Sequence, residues 1–305
     1  METSRSEDKE ASGRANQPHL PNSDQVMTTT SHPNPNSRER HIDGGRFAVS
    51  PELAVFDPDE IDEIVEFFHR WGFARIRNVY SDAELFALER EMERQQSELL
   101  TGTMDEKHGT VILDDPDALI EGEPFAHYVC HITECSDLAD DAVHAPVIIE
   151  SMRRLLGENM WLLDYERFGV VYQDARPGKD SGYSRIGWHS DWQSGPHLTI
   201  WPSVAFTIHI DGTSPANGFL RVLPGSHLHN TEGMPPGFEK VPGEVAVYAD
   251  RGDVLLHDAH LWHSAARATE DPPGGIRRHL RGSFHTGERL KEGHGLEDFV
   301  KNAMR

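Results

Sequence analysis

The sequence predicts a mixed α+β domain in which helices come first and a β-sandwich or β-barrel follows. Three helical patterns, over 57–72, 81–100 and 146–157, lie in the first half of the chain. After residue 160 the pattern changes to short apolar runs separated by Gly and Pro, such as "SVAFTIHI", "GFLRVLPGS" and "GDVLLHD". Helices followed by many short strands are typical of this fold class.

Capping signals indicate where the first two helices begin. Asp57 is a candidate N-cap, with Glu60 placed three residues later to complete a capping box, and Gly72 is expected to end the helix. A second capping box is expected at Ser81 and Glu84, ahead of another amphipathic stretch. Between these two helices, "FARIRNVY" alternates like a strand.

Length and composition predict one folded domain with a tail. The chain has 305 residues, of which 37% are hydrophobic, enough for one large domain or two modest ones. Residues 1–45 are rich in Ser, Thr, Asn and Pro and nearly lack large apolar side chains, so we expect a disordered N-terminal tail. Residues 46–305 are then expected to form a single domain.

The charge balance excludes some classes of partner. Lys and Arg number 29 against 51 Asp and Glu, a formal net charge of −22, so we expect neither nucleic acid nor an anionic membrane as a partner. No apolar run approaches the ~20 residues of a membrane span. Two cysteines are too few for a secreted disulfide scaffold, which favours a cytoplasmic location.

A possible metal site begins in the stretch "GWHSDWQ". His189 and Asp191 are two residues apart, so on a strand both side chains would point the same way. Two imidazoles and one carboxylate on one octahedral face are the ligands of many non-haem Fe(II) oxygenases. The pair alone is weak evidence, since a turn whose polar groups satisfy each other would read the same way.

Motifs further along the chain strengthen the hypothesis of a metal site. "SPANGFLRVLPGSH" is followed by "RGDVLLHDAHLWHSA" and then by "GGIRRHLRGSF". Together with His189 and Asp191, and with the opening "FFHRWGFARIRNVYSDAELFALE", this series resembles the phytanoyl-CoA dioxygenase family over residues 47–290. The resemblance implies a double-stranded β-helix (jelly-roll) core with N-terminal flanking helices. It also implies Fe(II) as the metal, 2-oxoglutarate as co-substrate and O₂ as oxidant.

The same resemblance implies the remaining site residues. Of the histidines His257, His260 and His263, it assigns the third metal ligand to His263, and it makes His227 part of a turn. The 2-oxoglutarate carboxylate needs a guanidinium, and Arg277 matches the family position best.

Four further positions bear on the expected co-substrate site. Arg281 lies on the same strand face as Arg277 and is the alternative anchor, whereas Arg278 would face away. The resemblance assigns Thr207 a hydroxyl contact with the co-substrate. Many relatives carry a serine two residues after the third ligand, where this chain has Ala265.

The implied reaction is hydroxylation of an aliphatic C–H bond of a small molecule, with succinate and CO₂ as co-products. The substrate could be a metabolite, a lipid or a natural-product intermediate. Candidate pocket residues are Phe168, Trp188, Trp192 and Trp201, and Arg176 and Arg185 are candidates to meet a substrate carboxylate. Two alternatives remain: a non-catalytic metal-binding β-barrel module, and a cupin-like dioxygenase that does not use 2-oxoglutarate.

Overall fold

The computed structural model describes residues 49–109, 119–120, 122–164, 168–175, 186–196, 198–229, 237–266 and 275–289. The expected tail, 1–45, lies outside them. The α-helices of the described residues are α1 Ile61–Trp71, α2 Asp82–Leu100, α3 Ile132–Cys135, α4 Asp137–Val143 and α5 Pro146–Leu156. The first seven strands are β1 Val55–Phe56, β2 Phe73–Ile76, β3 Leu119–Ile120, β4 Glu123–Pro124, β5 Tyr128–Val129, β6 Trp161–Leu162 and β7 Val171–Ala175. The other seven are β8 Ile186–His189, β9 Ser203–His209, β10 Leu220–Val222, β11 Val245–Val247, β12 Val254–Asp258, β13 His263–Ala265 and β14 Arg277–His285.

Two main sheets form most of the β-part of the described chain, and β3 and β4 form a separate antiparallel pair. The larger has eight strands in the order β1-β2-β12-β9-β14-β7-β5, with β6 paired to β14. The smaller has four strands in the order β11-β10-β13-β8. All pairings in both sheets are antiparallel except β1 with β2. The predicted order, helices first and a two-sheet β-fold afterwards, is confirmed.

The helices cover the larger sheet through one apolar core. Buried side chains from α1, α2 and α5, including Ile64, Met92 and Ile148, belong to the same cluster as Phe206 of β9 and Leu256 of β12. The apolar positions of each helix recur at helical spacing, so burying that face against the sheet stabilises helix and sheet together. No helix in the described part of the chain is both long and apolar enough to cross a membrane.

The predicted capping box at Asp57 and Glu60 is only half correct. Helix α1 begins at Ile61 with Glu60 as its N-cap, three residues later than the expected N-cap Asp57. The Glu60 carboxylate does accept a hydrogen bond from the Asp57 N–H, at 2.7 Å. The Asp57 carboxylate, however, accepts from the Arg77 guanidinium at 2.5 and 2.8 Å. Because this tertiary ion pair uses both carboxylate oxygens, Asp57 does not cap the helix.

The other predicted helix boundaries are confirmed. Ser81 and Glu84 form a full capping box at α2. Gly72 ends α1 in the left-handed conformation, with φ +80°, and its N–H donates to the Phe68 carbonyl. A Cβ at Gly72 would lie 2.5 Å from His227 Nδ1, so the close packing of the His227 turn also requires glycine there. The short helices α3 and α4 were not predicted, since each spans too few residues for a periodic pattern.

Candidate active site

Three of the predicted site residues meet between strands β8 and β13. His189 ends β8, His263 begins β13, and the two are register partners in the smaller sheet. Asp191 Oδ1 lies 3.8 Å from His189 Nε2 and 3.5 Å from His263 Nε2. One ligand atom from each of the three residues lies within 4.8 Å of the others, so a single metal ion would fit among them.

The local backbone at Asp191 differs from the expectation. The sequence suggested that His189 and Asp191 share a strand face, but the strand ends at His189 and Asp191 begins a 3₁₀ turn that runs to Ser194. A capping box between Ser190 and Gln193 starts that turn. The turn, rather than strand alternation, therefore brings the Asp191 carboxylate beside the two imidazoles.

Backbone carbonyls fix the orientation of both imidazole rings. His189 Nδ1–H donates to the Gly187 carbonyl at 2.8 Å, and His263 Nδ1–H donates to the Leu261 carbonyl at 2.9 Å. Each ring therefore presents its Nε2 lone pair towards Asp191, which is how metal-binding histidines are usually held.

Protonation of the group also suits a metal. Burial lowers the pKa of His263 to about 3, so its imidazole is neutral at physiological pH. Burial alone would raise the pKa of Asp191, but the nearby His263 and His257 outweigh it and hold the carboxyl pKa below its ordinary value. A neutral imidazole beside an ionised carboxylate is the donor set that a divalent cation requires.

The other histidines of the "RGDVLLHDAHLWHSA" segment have different surroundings. His257, on β12, donates through Nε2–H to Asp191 Oδ2 at 3.2 Å and is outside the three-residue metal group. His260 is stacked on Trp192, with ring centres 5.5 Å apart. His227 contacts the His69 carbonyl through Nε2 at 3.2 Å, in the 3₁₀ turn Ser226–Leu228. The contact between His257 and Asp191 was missed in the sequence, because it depends on the pairing of distant strands.

The metal group opens into a cavity of about 310 Å³ between the two sheets. His189, Asp191 and His263 line it on one side, and Arg277, Arg281 and Thr207 line it on the side of the larger sheet. All six residues in the predicted site, including the alternative anchor, therefore line one cavity.

Arg277 is buried in this cavity without a counter-ion. Its Nε has no hydrogen-bond partner, and no carboxylate among the described residues pairs with its guanidinium. Burial lowers its pKa to about 10, which still leaves it charged at neutral pH. A buried charge without a partner is costly, so the site is suited to an anionic ligand.

The Asn217–Gly218 motif creates the space around Arg277. Asn217 Nδ2 donates to the Gly212 and Ile276 carbonyls at 2.7 and 3.1 Å, which ties the motif to the residue just before β14. Gly218 has φ +92°, and a Cβ there would lie 2.7 Å from Arg277 Nη1. Only glycine therefore leaves room for the guanidinium.

Two neutral histidines lie near Arg277 and were not singled out in the sequence. Both ring nitrogens of His209 and the Nδ1 of His279 are buried without a hydrogen-bond partner among the described residues. Burial, followed by the charge of Arg277, lowers the pKa of His209 to about 3 and that of His279 far below its ordinary value. A neutral imidazole has one N–H, and that of His279 is on Nε2 and donates to Gln173 Oε1 at 3.1 Å. Of the two histidines, His209 is therefore the one that can donate to an anion beside Arg277.

Sequence comparison places the chain in a known family. The family model described as phytanoyl-CoA dioxygenase matches residues 68–273, more than half of the chain. The chain belongs to the phytanoyl-CoA dioxygenase family. The predicted resemblance is therefore confirmed, and membership assigns the chain to the iron(II)- and 2-oxoglutarate-dependent oxygenases as a class.

Individual relatives of this family member are distant. The ectoine dioxygenase of Nocardia farcinica (strain IFM 10152) is 24% identical over 250 residues, which cover 71% of this chain and 77% of that protein. A probable alpha-ketoglutarate-dependent hypophosphite dioxygenase of Stutzerimonas stutzeri is 32% identical over 91 residues. That match covers 30% of this chain, and the chain spans 28% of the relative's length.

A solved structure supports the fold. The epimerase SnoN, crystallised with Fe³⁺, alpha ketoglutarate and nogalamycin RO, is similar at a TM-score of 0.56 with 19% identity. The similarity covers 78% of this chain and 89% of SnoN. The expected jelly-roll core with flanking N-terminal helices is confirmed.

On β14 of this family member, Arg278 faces the side of the sheet opposite to Arg277 and Arg281, as predicted. Arg278 pairs with Asp211 at 2.8 Å, with Glu89 at 2.6 Å and with Glu93 at 3.0 Å, away from the cavity. Arg281 lines the cavity and is the register partner of Thr207 on β9. Arg278 is therefore structural, whereas Arg277 and Arg281 are available to ligands.

Some cavity features depart from the sequence-based expectations. Phe168 and Trp201 line the cavity, but Trp188 donates through Nε1–H to the Glu239 carbonyl instead. Ser264 is buried and donates to the Ile186 carbonyl at 2.8 Å, so its hydroxyl does not replace the serine missing at Ala265. Arg176 and Arg185 lie outside the described residues.

Proposed function

We propose that this protein hydroxylates an aliphatic C–H bond of a small-molecule substrate. The reaction consumes one 2-oxoglutarate and one O₂, and one oxygen atom enters the product as a hydroxyl group. The other oxygen atom enters succinate as 2-oxoglutarate loses CO₂. One observation carries the proposal: three side chains that could hold one metal ion share a single cavity with a buried Arg277 that has no carboxylate partner among the described residues.

His189, Asp191 and His263 would hold Fe(II) in this proposal. Their donor set, two imidazoles and a carboxylate, is that of iron oxygenases that keep coordination positions open. When bound, the iron supplies the centre at which O₂ and the co-substrate react. His257 would keep Asp191 in place by donating to its Oδ2 atom, so that carboxylate remains aligned with the imidazoles.

Arg277 would bind the 2-oxoglutarate carboxylate that lies far from the metal. Its guanidinium can form two parallel hydrogen bonds with a carboxylate, and it is already desolvated. His209 would add a neutral N–H donor beside it. Thr207, which lines the same cavity, would provide a hydroxyl contact with the co-substrate. The apolar walls would keep water away from the reacting atoms.

The two alternative functions are less well supported. A structural metal module usually closes the metal with four ligands, and here three residues form the group. A cupin-like dioxygenase that does not use 2-oxoglutarate would have no need for a buried, unpaired arginine.

Succinate formation tests the proposal. Purified protein with Fe(II), 2-oxoglutarate and O₂ should release succinate, slowly without substrate and faster with it. His260→Ala is the matched control for the metal ligands, because His260 stacks on Trp192 outside the metal group. No succinate from the iron-loaded wild-type protein, even with a broad panel of small molecules, would contradict the proposal.

The compartment and partners follow from the composition. The chain has only two cysteines, too few for a secreted disulfide scaffold, which supports a cytoplasmic location. The net charge of −22 supports the expectation that nucleic acid and anionic membranes are not partners.

A further inference from the structure

Two arginines in the cavity lack a carboxylate partner among the described residues. They are Arg277 and Arg281. Nine of the other arginines in the described chain pair with acidic side chains: Arg75, Arg77, Arg94, Arg153, Arg154, Arg221, Arg251, Arg278 and Arg289. Arg70 and Arg90 are exposed over aromatic rings. In a chain with 51 acidic residues, unpaired arginines inside a cavity indicate anionic ligands.

The co-substrate accounts for only one of these arginines, if the function proposed above is correct. One 2-oxoglutarate carboxylate would lie at the metal and the other at Arg277. Arg281 is four residues further along the same face of β14, about 13 Å along the strand at ~3.3 Å per residue. It therefore remains without a counter-ion after the co-substrate has bound.

Different elements hold the two guanidinium groups. Arg277 lies against Gly218, so close that a Cβ there would be 2.7 Å from its Nη1. Arg281 donates through Nε–H to Gln173 Oε1 on β7, at 3.2 Å, and its guanidinium carbon is 5.9 Å from the centre of the Tyr128 ring. A carboxylate bound at Arg277 therefore leaves Arg281 free.

Gln173 orients Arg281 for a ligand. The Gln173 Oε1 atom also accepts a hydrogen bond from His279 Nε2–H, at 3.1 Å, so its position is fixed from two sides. Gln173 accepts a hydrogen bond from the Nε–H of Arg281. The two terminal nitrogens of Arg281 form no hydrogen bond with the described residues. They form the fork that binds a carboxylate through two parallel hydrogen bonds.

Arg281 also lies within reach of the metal group. In the sheet register, Arg281 is level with Thr207. The next cavity-facing row, two residues on, contains Ala205 and His257, and His257 contacts the metal-group residue Asp191. These rows are about 7 Å apart. A molecule held at Arg281 would place carbons only a few bonds away beside the metal.

One side of the cavity wall near Arg281 is apolar. Val171 is its register partner on β7, and Phe168 packs on the cluster of Tyr128, Cys130 and Val171. Phe168 and Val171 both line the cavity. We infer that the substrate is a carboxylic acid with an apolar body, and that Arg281 binds its carboxylate while Gln173 orients the guanidinium.

Matched acids and alcohols test this inference. Hexanoate, octanoate and phenylpropanoate, each paired with its primary alcohol, are titrated anaerobically into the protein loaded with Mn(II) and 2-oxoglutarate. Wild type should bind at least one acid about tenfold or more tightly than its alcohol, because a charge-assisted hydrogen bond is lost in the alcohol. Arg281→Met should remove this preference, and Arg281→Lys should keep part of it. The 2-oxoglutarate affinity of Arg281→Met should stay within about twofold of wild type, and thermal melting checks that each variant is folded.

Other results would overturn the inference. If wild type prefers no acid to its alcohol, or if the preference survives Arg281→Met, Arg281 does not select a substrate carboxylate. If Arg281→Met loses 2-oxoglutarate while Arg277→Met retains it, Arg281 is the co-substrate anchor; the inference fails but the proposed reaction stands. If the metal-loaded wild-type protein binds no 2-oxoglutarate, the proposed function itself fails, and the inference with it.

Discussion

Arg277→Met should have two opposite effects, because the arginine is costly without 2-oxoglutarate and valuable with it. In the free protein the charged guanidinium is buried and its pKa falls from 12.5 to about 10. At every pH below about 10, the folded state therefore carries a cost of ~3 kcal/mol for keeping this group charged. Methionine fills similar space without charge, so the variant without ligand should be more stable than wild type.

The same substitution should weaken 2-oxoglutarate binding strongly. Losing a desolvated guanidinium–carboxylate pair costs about 2–5 kcal/mol. The dissociation constant should therefore rise by about 30-fold or more. At a concentration of 100 times the wild-type constant, 2-oxoglutarate stabilises wild type by about 2.7 kcal/mol, but should stabilise the variant by ~0.9 kcal/mol or less.

Thermal melting of the Mn(II) protein with and without 2-oxoglutarate measures both effects. For a domain of this size 1 kcal/mol is about 2–4 °C, so wild type should gain about 5–10 °C and the variant no more than ~3 °C. Arg278→Met is the matched control on the opposite strand face. It should lose stability, because it removes the guanidinium that pairs with Asp211, but keep the full 2-oxoglutarate shift. A full 2-oxoglutarate shift in Arg277→Met would refute the assignment of the anchor.

Three further predictions concern the metal group, the Asn217–Gly218 motif and the tail. Alanine at each proposed ligand should abolish iron-dependent succinate formation, and the variants are His189→Ala, Asp191→Ala and His263→Ala. Activity that persisted in His263→Ala but vanished in His260→Ala would show that the third ligand is wrong. Gly218→Ala should lower both the melting temperature and the 2-oxoglutarate affinity, since its Cβ would clash with Arg277 Nη1 at positive φ; wild-type values for both would exclude this packing role. Deleting residues 1–45 should leave melting temperature and succinate formation nearly unchanged, and a large loss of stability would show that the tail packs on the domain.

The sequence correctly predicted those helix boundaries that depend on residues close together in the chain. The capping box at Ser81 and Glu84 and the helix end at Gly72 depend on residues a few positions apart, and both predictions are confirmed. The cap at Asp57 failed because a residue twenty positions away, Arg77, binds the same carboxylate. Tertiary ion pairs of this kind leave no periodic signal in the sequence.

The candidate site shows the same difference between what the sequence predicts and what depends on tertiary contacts. The spacing of motifs indicated which residues would meet, and the structure brings His189, Asp191 and His263 together. Whether an arginine is unpaired cannot be predicted from its own segment. Arg277 and Arg278 are adjacent, yet Arg277 has no carboxylate partner among the described residues and Arg278 pairs with three carboxylates.

Anaerobic titration of 2-oxoglutarate into the Fe(II)-loaded protein tests the central claim most directly. If His189, Asp191 and His263 hold the iron and leave positions open to the co-substrate, a weak visible charge-transfer band should appear and saturate with one 2-oxoglutarate per protein. Arg277→Met should need a concentration about 30-fold higher or more for the same band, and Asp191→Ala should give none. An iron-loaded wild-type protein that shows no band and no 2-oxoglutarate binding would contradict the account.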